Sequence, residues 1–437
     1  MNKKILLPLI AAVLCFVMSG CSSVGLSVDT LMHPPKAVGD KADIQALIDK
    51  TAGEGHTLKY PQSGNFRSAI TMHDIDSDGV DEAVAFYLPQ GDIATVNMMV
   101  MDDIDNSWQV VGNFKSQSSA VDSLNFCDID GDGFSEVIPT YKTYSPTINQ
   151  LALFIYDGKA VREIPSEYTC TNLITGDFYE GGKDELMLLS LFSTEKEASA
   201  LLLTLNDDKS GISVLGTSPL DPDVASFAQL LTGEVFEAQQ GLVIDGCTTQ
   251  GEYNTQIIYY NKYFKSLERI NFTENVSYNQ ARRTYAVMSE DINGDSVIEI
   301  PSVFKLKIED DRTDVAPCAQ IYWCQQTEGG TVHLIAHEAV SFSYKFSFDI
   351  PQSWDGKFTA HTNHNENEVT FYSWDKDKTG DELLKIKITD KNSQEIPEGY
   401  TPLSENESRV YSYRIPENSN KMKLGADEII GAFELMQ

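Results

Sequence analysis

Five times between residues 66 and 340 the chain runs a short apolar strand into an acidic loop and leaves it on a second apolar strand. The pattern is plain in residues 69–86, 124–139 and 286–301, weaker in 172–187, and faint from Leu230. Its anchors are Asp74, Asp128, Asp177, Glu234 and Asp291, spaced by 54, 49, 57 and 57 residues. A repeat of this length is one supersecondary unit that buries its apolar faces only against its neighbours.

Each unit carries two more strands after the loop. They are predicted at 95–101 and 108–114 in the first unit, and at 151–156 and 160–164 in the second. Four short strands in about fifty residues describe a propeller blade. Five units, at roughly 66–116, 119–166, 169–219, 227–274 and 283–340, make the chain mainly β, a β-propeller of five blades. The faintness of the fourth unit leaves six as the alternative count, and a solenoid is the alternative architecture. Residues 40–65 form a lead-in. Asp40 caps a short helix with Ile44, Leu47, Ile48 and Thr51 on one face.

The loops align position by position. Asp74, Asp76, Asp78 and Glu82 stand at positions 1, 3, 5 and 9; so do Asp128, Asp130, Asp132 and Glu136; so do Asp291, Asn293, Asp295 and Glu299. Alternate side chains in a tight turn converge, and position 7 (Val80, Phe134 or Val297) offers a backbone carbonyl. An all-oxygen set with flexible geometry suits calcium before magnesium. Carboxylates gathered without a cation would repel one another. The loop begins like an EF-hand but lacks the glutamate at position 12, and strands flank it. It resembles the calcium loop of FG-GAP/VCBS repeats, the integrin-α type of propeller, over about 66–340 and strongly in three units. That resemblance implies up to three structural calcium ions. In the third unit Tyr179 and Gly181 replace ligands, so no ion is expected there, and none in the fourth.

The N-terminus sets the compartment. A basic start at residues 1–4 precedes thirteen apolar residues, too few to span a bilayer comfortably, and then Met18-Ser19-Gly20-Cys21. This ending resembles the lipobox of bacterial lipoproteins. The resemblance implies a signal peptide over 1–20, a lipid on Cys21, a tether over 21–39, and an extracytoplasmic chain anchored to the bacterial cell membrane. The 437 residues carry 65 acidic and 33 basic side chains, a formal charge of −32; losing Lys3 and Lys4 with the signal makes it −34. That balance argues against nucleic acid as a partner. Five cysteines remain beyond Cys21, an odd number without regular spacing, which reads as buried free thiols.

After 340 the acidic repeat stops. Residues 341–437 are predicted as a separate α+β domain, with strands at 368–374, 382–389 and 409–414. A closing helix at 425–432 would place Ile429, Ile430 and Phe433 on one side. The opening segment with Phe346, Pro351 and Trp354, together with the final helix, resembles PsbP-like domains. His333-Leu334-Ile335-Ala336-His337-Glu338 scrambles the zinc-protease motif and alternates like a strand. His361 and His364 read as an exposed polar turn, and Asp375-Lys376-Asp377 as a hairpin turn. No nucleophile elbow or phosphate loop is present, so no enzyme is expected. Tyr141 and Tyr144, after the second loop's exit strand, are candidates to stack on sugar. The expected role is a binding or scaffold protein for an extracellular protein or glycan. The alternatives are a polysaccharide lyase or hydrolase using the propeller face, and an accessory subunit of an envelope complex.

Overall fold

A computed structural model describes residues 40–194, 196–272, 278–309, 314–393 and 396–436. Cys21, the signal segment and the tether lie outside the described residues. Among those described, no helix is long and apolar enough to cross a membrane.

The protein is a mainly β chain of propeller blades followed by a small α+β unit. The first blade is built from Ile70–His73, Glu82–Leu88, Asn97–Asp103 and Trp108–Lys115, all antiparallel. The second uses Val121–Cys127, Glu136–Lys142, a third strand broken into Asn149–Leu151 and Leu153–Tyr156, and Val161–Ile164. The third is Asn172–Gly176, Glu185–Ser190, Ser199–Leu205 and Ile212–Pro219. The faint fourth repeat folds as a full blade, Val224–Phe236, Gln239–Thr248, Tyr253–Asn261 and Ser266–Arg269. In the fifth the entry strand shrinks to one bridge, Glu290 to Glu299, before Ile300–Lys305, Ala319–Gln326 and Val332–Ser341.

The apolar runs follow from packing on both faces. All seven residues of Glu82–Leu88 are buried. Val84 and Phe86 face the second blade, where Leu124, Val137 and Phe154 meet them. Leu186 and Leu188 pack back on Ile138 and Ile155, whereas Met187 and Leu189 pack forward on Leu242 and Ile244. Val243 and Ile257 then reach Ile298 and Ile300 of the fifth blade. This period of two assigns alternate residues to alternate junctions.

Helix α1 (Asp40–Ala52) covers the other face of the first blade, setting Ile44 and Ile48 against Ala83, Ala85 and Met99. Thr51, expected on that face, is exposed. At the far end, Val303, Ile321 and Trp323 of the fifth blade are covered by Tyr285, Val287 and Phe342.

The C-terminal unit is joined to the last blade by sheet pairing. Phe346–Asp349 extends the fifth blade's sheet and is itself edged by Phe433–Leu435. Ala316–Pro317 pairs with Phe358–Asn363 of the C-terminal six-stranded sheet. Helix α2 (Ala426–Ala432) ends where expected, but only Ile429 is buried; Ile430 is exposed, and Phe433 lies beyond the helix at the start of the strand Phe433–Leu435. His361 is not in an exposed turn. It is a buried residue of Phe358–Asn363, while His364 is in the exposed turn beyond. The Lys376-Asp377 turn joins two paired strands, and the His333–Glu338 stretch lies within the strand Val332–Ser341.

Candidate metal centre

Four acidic loops share one backbone design. Positions 4 and 6 take left-handed φ in each: Ser77 and Gly79, Gly131 and Gly133, Glu180 and Gly182, Gly294 and Ser296. Glycine suits such positions because it lacks a Cβ. The position-1 carboxylate accepts the position-6 N–H, at 3.1 Å for Asp74 and Gly79 and at 2.9 Å for Asp128 and Gly133. The Asp177–Gly182 and Asp291–Ser296 bonds are likewise 2.9 Å. The position-9 glutamate turns back to accept an N–H near the loop start. The donors are Ile75 for Glu82, Ile129 for Glu136, Tyr179 for Glu185 and Ile292 for Glu299. Position 7 is tied through its N–H, with Val80, Phe134 and Val297 each donating to the position-5 carboxylate.

Three of the four loops also grip the blade before them. The position-8 N–H groups of Ser135, Asp184 and Ile298 donate to the carbonyls of Ile75, Asp128 and Glu234 at 2.7, 2.8 and 2.9 Å. Glu234, the anchor of the faint repeat, therefore keeps this backbone role although its unit has no acidic loop.

Carboxylate oxygens converge within 4.8 Å in three sets: Asp74, Asp76 and Asp78; Asp128, Asp130 and Glu136; Asp291, Asp295 and Glu299. These sets could hold a metal ion. Asn293 joins the last by hydrogen bonds to Asp295 and Glu299. Glu82 lies outside the first set, although its Oε2 accepts the Ile75 N–H as the glutamates of the other two sets accept theirs. Asp132 lies outside the second. The loop of the third unit keeps the scaffold, but its Glu180 is occupied by the Lys262 ammonium at 2.5 Å.

The donor sets fit a hard cation. Glu136 is wholly buried, and its Oε1, like Asp74 Oδ1, has no hydrogen-bond partner. An orphaned buried carboxylate oxygen is costly unless a proton or cation meets it. Burial pushes Glu136 up to about 8; the Ile129 N–H opposes this, and the charges of Asp130, Asp132 and Asp128 add to it. Burial likewise raises Glu82 to about 7, with Asp76 and Asp102 adding. Burial also raises Glu299, with Asp295 and Asp291 adding.

Three groups near the loops carry no sequence signal. Asp102, at the end of Asn97–Asp103, adds its charge to the first loop and accepts the Tyr156 hydroxyl of the second blade at 2.5 Å. Gln325 donates to Asp295 and Glu299, both at 2.8 Å. Lys209 of the third blade reaches Asp130 and Asp132 at 2.6 and 2.7 Å. They come from 20 to 79 residues away in the chain, beyond any local motif.

Away from the loops, a groove of about 940 Å³ between the first two blades is lined by Ile93, Phe114, Lys115, Lys142 and Tyr144, among others. Ile93 and Tyr144 are exposed, whereas Tyr141 is buried in the blade.

No family model matches the chain, and no curated protein matches it. Solved structures do. The periplasmic gluconolactonase of Pseudomonas aeruginosa is similar at 11% identity and TM-score 0.31, over 75% of this chain and 88% of that one. Saccharomyces cerevisiae Sqt1 is similar at 9% identity and TM-score 0.32, over 80% and 98%. A putative 6-phosphogluconolactonase of Bacteroides fragilis is similar at 13% identity and TM-score 0.25, over 59% and 68%.

Proposed function

We propose that this protein is a lipid-anchored, extracytoplasmic propeller of the FG-GAP/VCBS type. It would hold structural calcium in up to three loops and act as a binding or scaffold protein for a protein or glycan partner, not as an enzyme. The observation that carries the reading is the recurrence of one loop scaffold in which carboxylates converge and buried oxygens lack partners. Asp74, Asp76 and Asp78, then Asp128, Asp130 and Glu136, and then Asp291, Asp295 and Glu299 would hold the ions. The carbonyls of Val80, Phe134 and Val297 would complete the shells. Calcium supplies positive charge that offsets carboxylate repulsion and ties the entry strand of a blade to its exit strand. Oxygen-only ligands on a flexible turn favour it over magnesium, which demands tighter octahedral geometry. A shell filled by protein groups leaves no position for a substrate, which is why the role proposed for the ion is structural.

Partner binding is assigned to the groove beside Tyr144 and Ile93, where an exposed ring can stack on sugar or an apolar side chain. Two experiments test the reading. Calorimetric titration of the protein should show calcium binding that magnesium does not reproduce; heat-silent titrations and a metal-free purified protein would refute it. A glycan array and an envelope pull-down should give a specific ligand that Tyr144→Ala weakens. Glycan cleavage lost on mutating a groove residue would replace the binding role with a catalytic one.

A further inference from the structure

We propose that the second loop carries its own built-in competitor for calcium, the Lys209 ammonium of the following blade. This rests on the metal reading given above. Lys209 sits in the turn between Ser199–Leu205 and Ile212–Pro219, with φ +54°. Its Nζ lies 2.6 Å from Asp130 Oδ2 and 2.7 Å from Asp132 Oδ2. Its carbonyl accepts a hydrogen bond from Arg162 Nη1 at 3.0 Å, so the backbone of the turn is pinned to the second blade while the four-carbon stem stays free to swing. Asp130 is also one of the three acids that converge on the second cluster. An ammonium on Asp130 and a divalent ion among Asp128, Asp130 and Glu136 would be like charges at close range, so one excludes the other.

The other two loops lack this feature. No cation reaches them: the first has the Asp102 carboxylate beside it, itself bonded by the Tyr156 hydroxyl, and the fifth-blade loop has the Gln325 amide. Among the described residues, Lys209 is the one basic side chain within ion-pair distance of the ligand-position acids in these three loops. The three sites are therefore unequal. The first loop, with no resident cation, fills at lower calcium. The second fills only when calcium displaces Lys209, and that displacement releases an ionic contact between the second and third blades. Calcium concentration is thereby linked to how one blade junction is held.

The test is isothermal titration of the full-length chain with calcium chloride, comparing wild type with Lys209→Gln, Lys209→Arg and Lys262→Gln. Lys262→Gln removes the same charge from the neighbouring, ligand-poor third loop. Removing a partly buried ion pair with two contacts should tighten the weakest calcium step about five- to tenfold in Lys209→Gln. Lys209→Arg and Lys262→Gln should stay within about twofold of wild type. Adding Asp130→Asn to Lys209→Gln should abolish the gain. An unchanged weakest step in Lys209→Gln, with calcium still bound, overturns the competitor and leaves the metal sites standing. An equal gain in Lys262→Gln also overturns it, since general charge would then suffice. Calcium binding absent from every protein overturns the metal reading and this inference together.

Discussion

Glu136 concentrates the physics of the loops in one side chain. It is wholly buried, one oxygen is held by the Ile129 N–H at 2.8 Å, and the other has no partner. Its pKa, pushed up to about 8, lies above that of an unfolded glutamate. In the metal-free protein the folded state therefore keeps a proton that the unfolded state loses as pH rises above about 4.5. Its contribution to stability is present at low pH and falls away as pH rises toward 8. Calorimetry in chelator should show that decline between about pH 5 and about pH 8, with calcium flattening it because the ion replaces the proton. Glu136→Gln should make the metal-free decline shallower, leaving the part due to Glu82 and Glu299, and shrink the calcium-induced rise in Tm. A single site at a hundred times its dissociation constant contributes about 2.7 kcal/mol, which sets the size of the loss. The thiols give a second check at this scale. Cys127, Cys170, Cys318 and Cys324 are buried and Cys247 is partly exposed; none is in a disulfide. Burial pushes Cys170 and Cys324 up to about 12 and Cys318 to about 11. A thiol reagent should therefore modify Cys247 first and the other four only on unfolding.

At the scale of elements, the joints between units are the points to probe. Helix α1 serves the first blade as the next blade serves the others, by covering an apolar face. Ile48→Ala should cost about 2–4 kcal/mol in urea unfolding, the usual range for a buried aliphatic truncation. On the fourth blade's sheet, Asp245 and Arg283, the latter in a short strand paired with Tyr253–Asn261, form an ion pair at 2.8 Å with both side chains shielded from water. Asp245 also accepts from Thr255 and from the N–H and hydroxyl of Ser289, and Arg283 donates to the Val287 carbonyl. Asp245→Ala leaves a buried guanidinium uncompensated and should cost about 3–5 kcal/mol. Replacing both residues by apolar ones of similar volume should cost much less, since the pair repays its own desolvation poorly. The repeat order was legible because each blade's second strand is buried on both faces and so reads as a continuous apolar run. The broken third strand of the second blade and the missing entry strand of the fifth were not legible. Both depend on which neighbour supplies hydrogen bonds, not on local composition.

For the whole molecule, calcium should act on the blades as a ligand of the native state. Unfolding followed by heat should move to higher temperature with calcium and return with chelator, and replacing Asp74, Asp128 and Asp291 together by Asn should remove the response. The sequence by itself determined the repeat, the blade composition and the identity of the acids, because a period of two and a nine-position loop are local properties of the chain. It placed the ligand-position residues in loops of one shared design, including the poor third loop. The tertiary structure decided how those acids are used. It took Glu82 out of the first cluster, brought Asp102 beside it, set Gln325 against Asp295 and Glu299, and delivered Lys209 onto Asp130. It also joined the C-terminal unit to the last blade through Phe346–Asp349. These contacts link residues far apart in the chain, and the packing of blade on blade fixes them. An ionic or hydrogen-bonding side chain works over a few ångströms of space and leaves no periodicity in the order of residues.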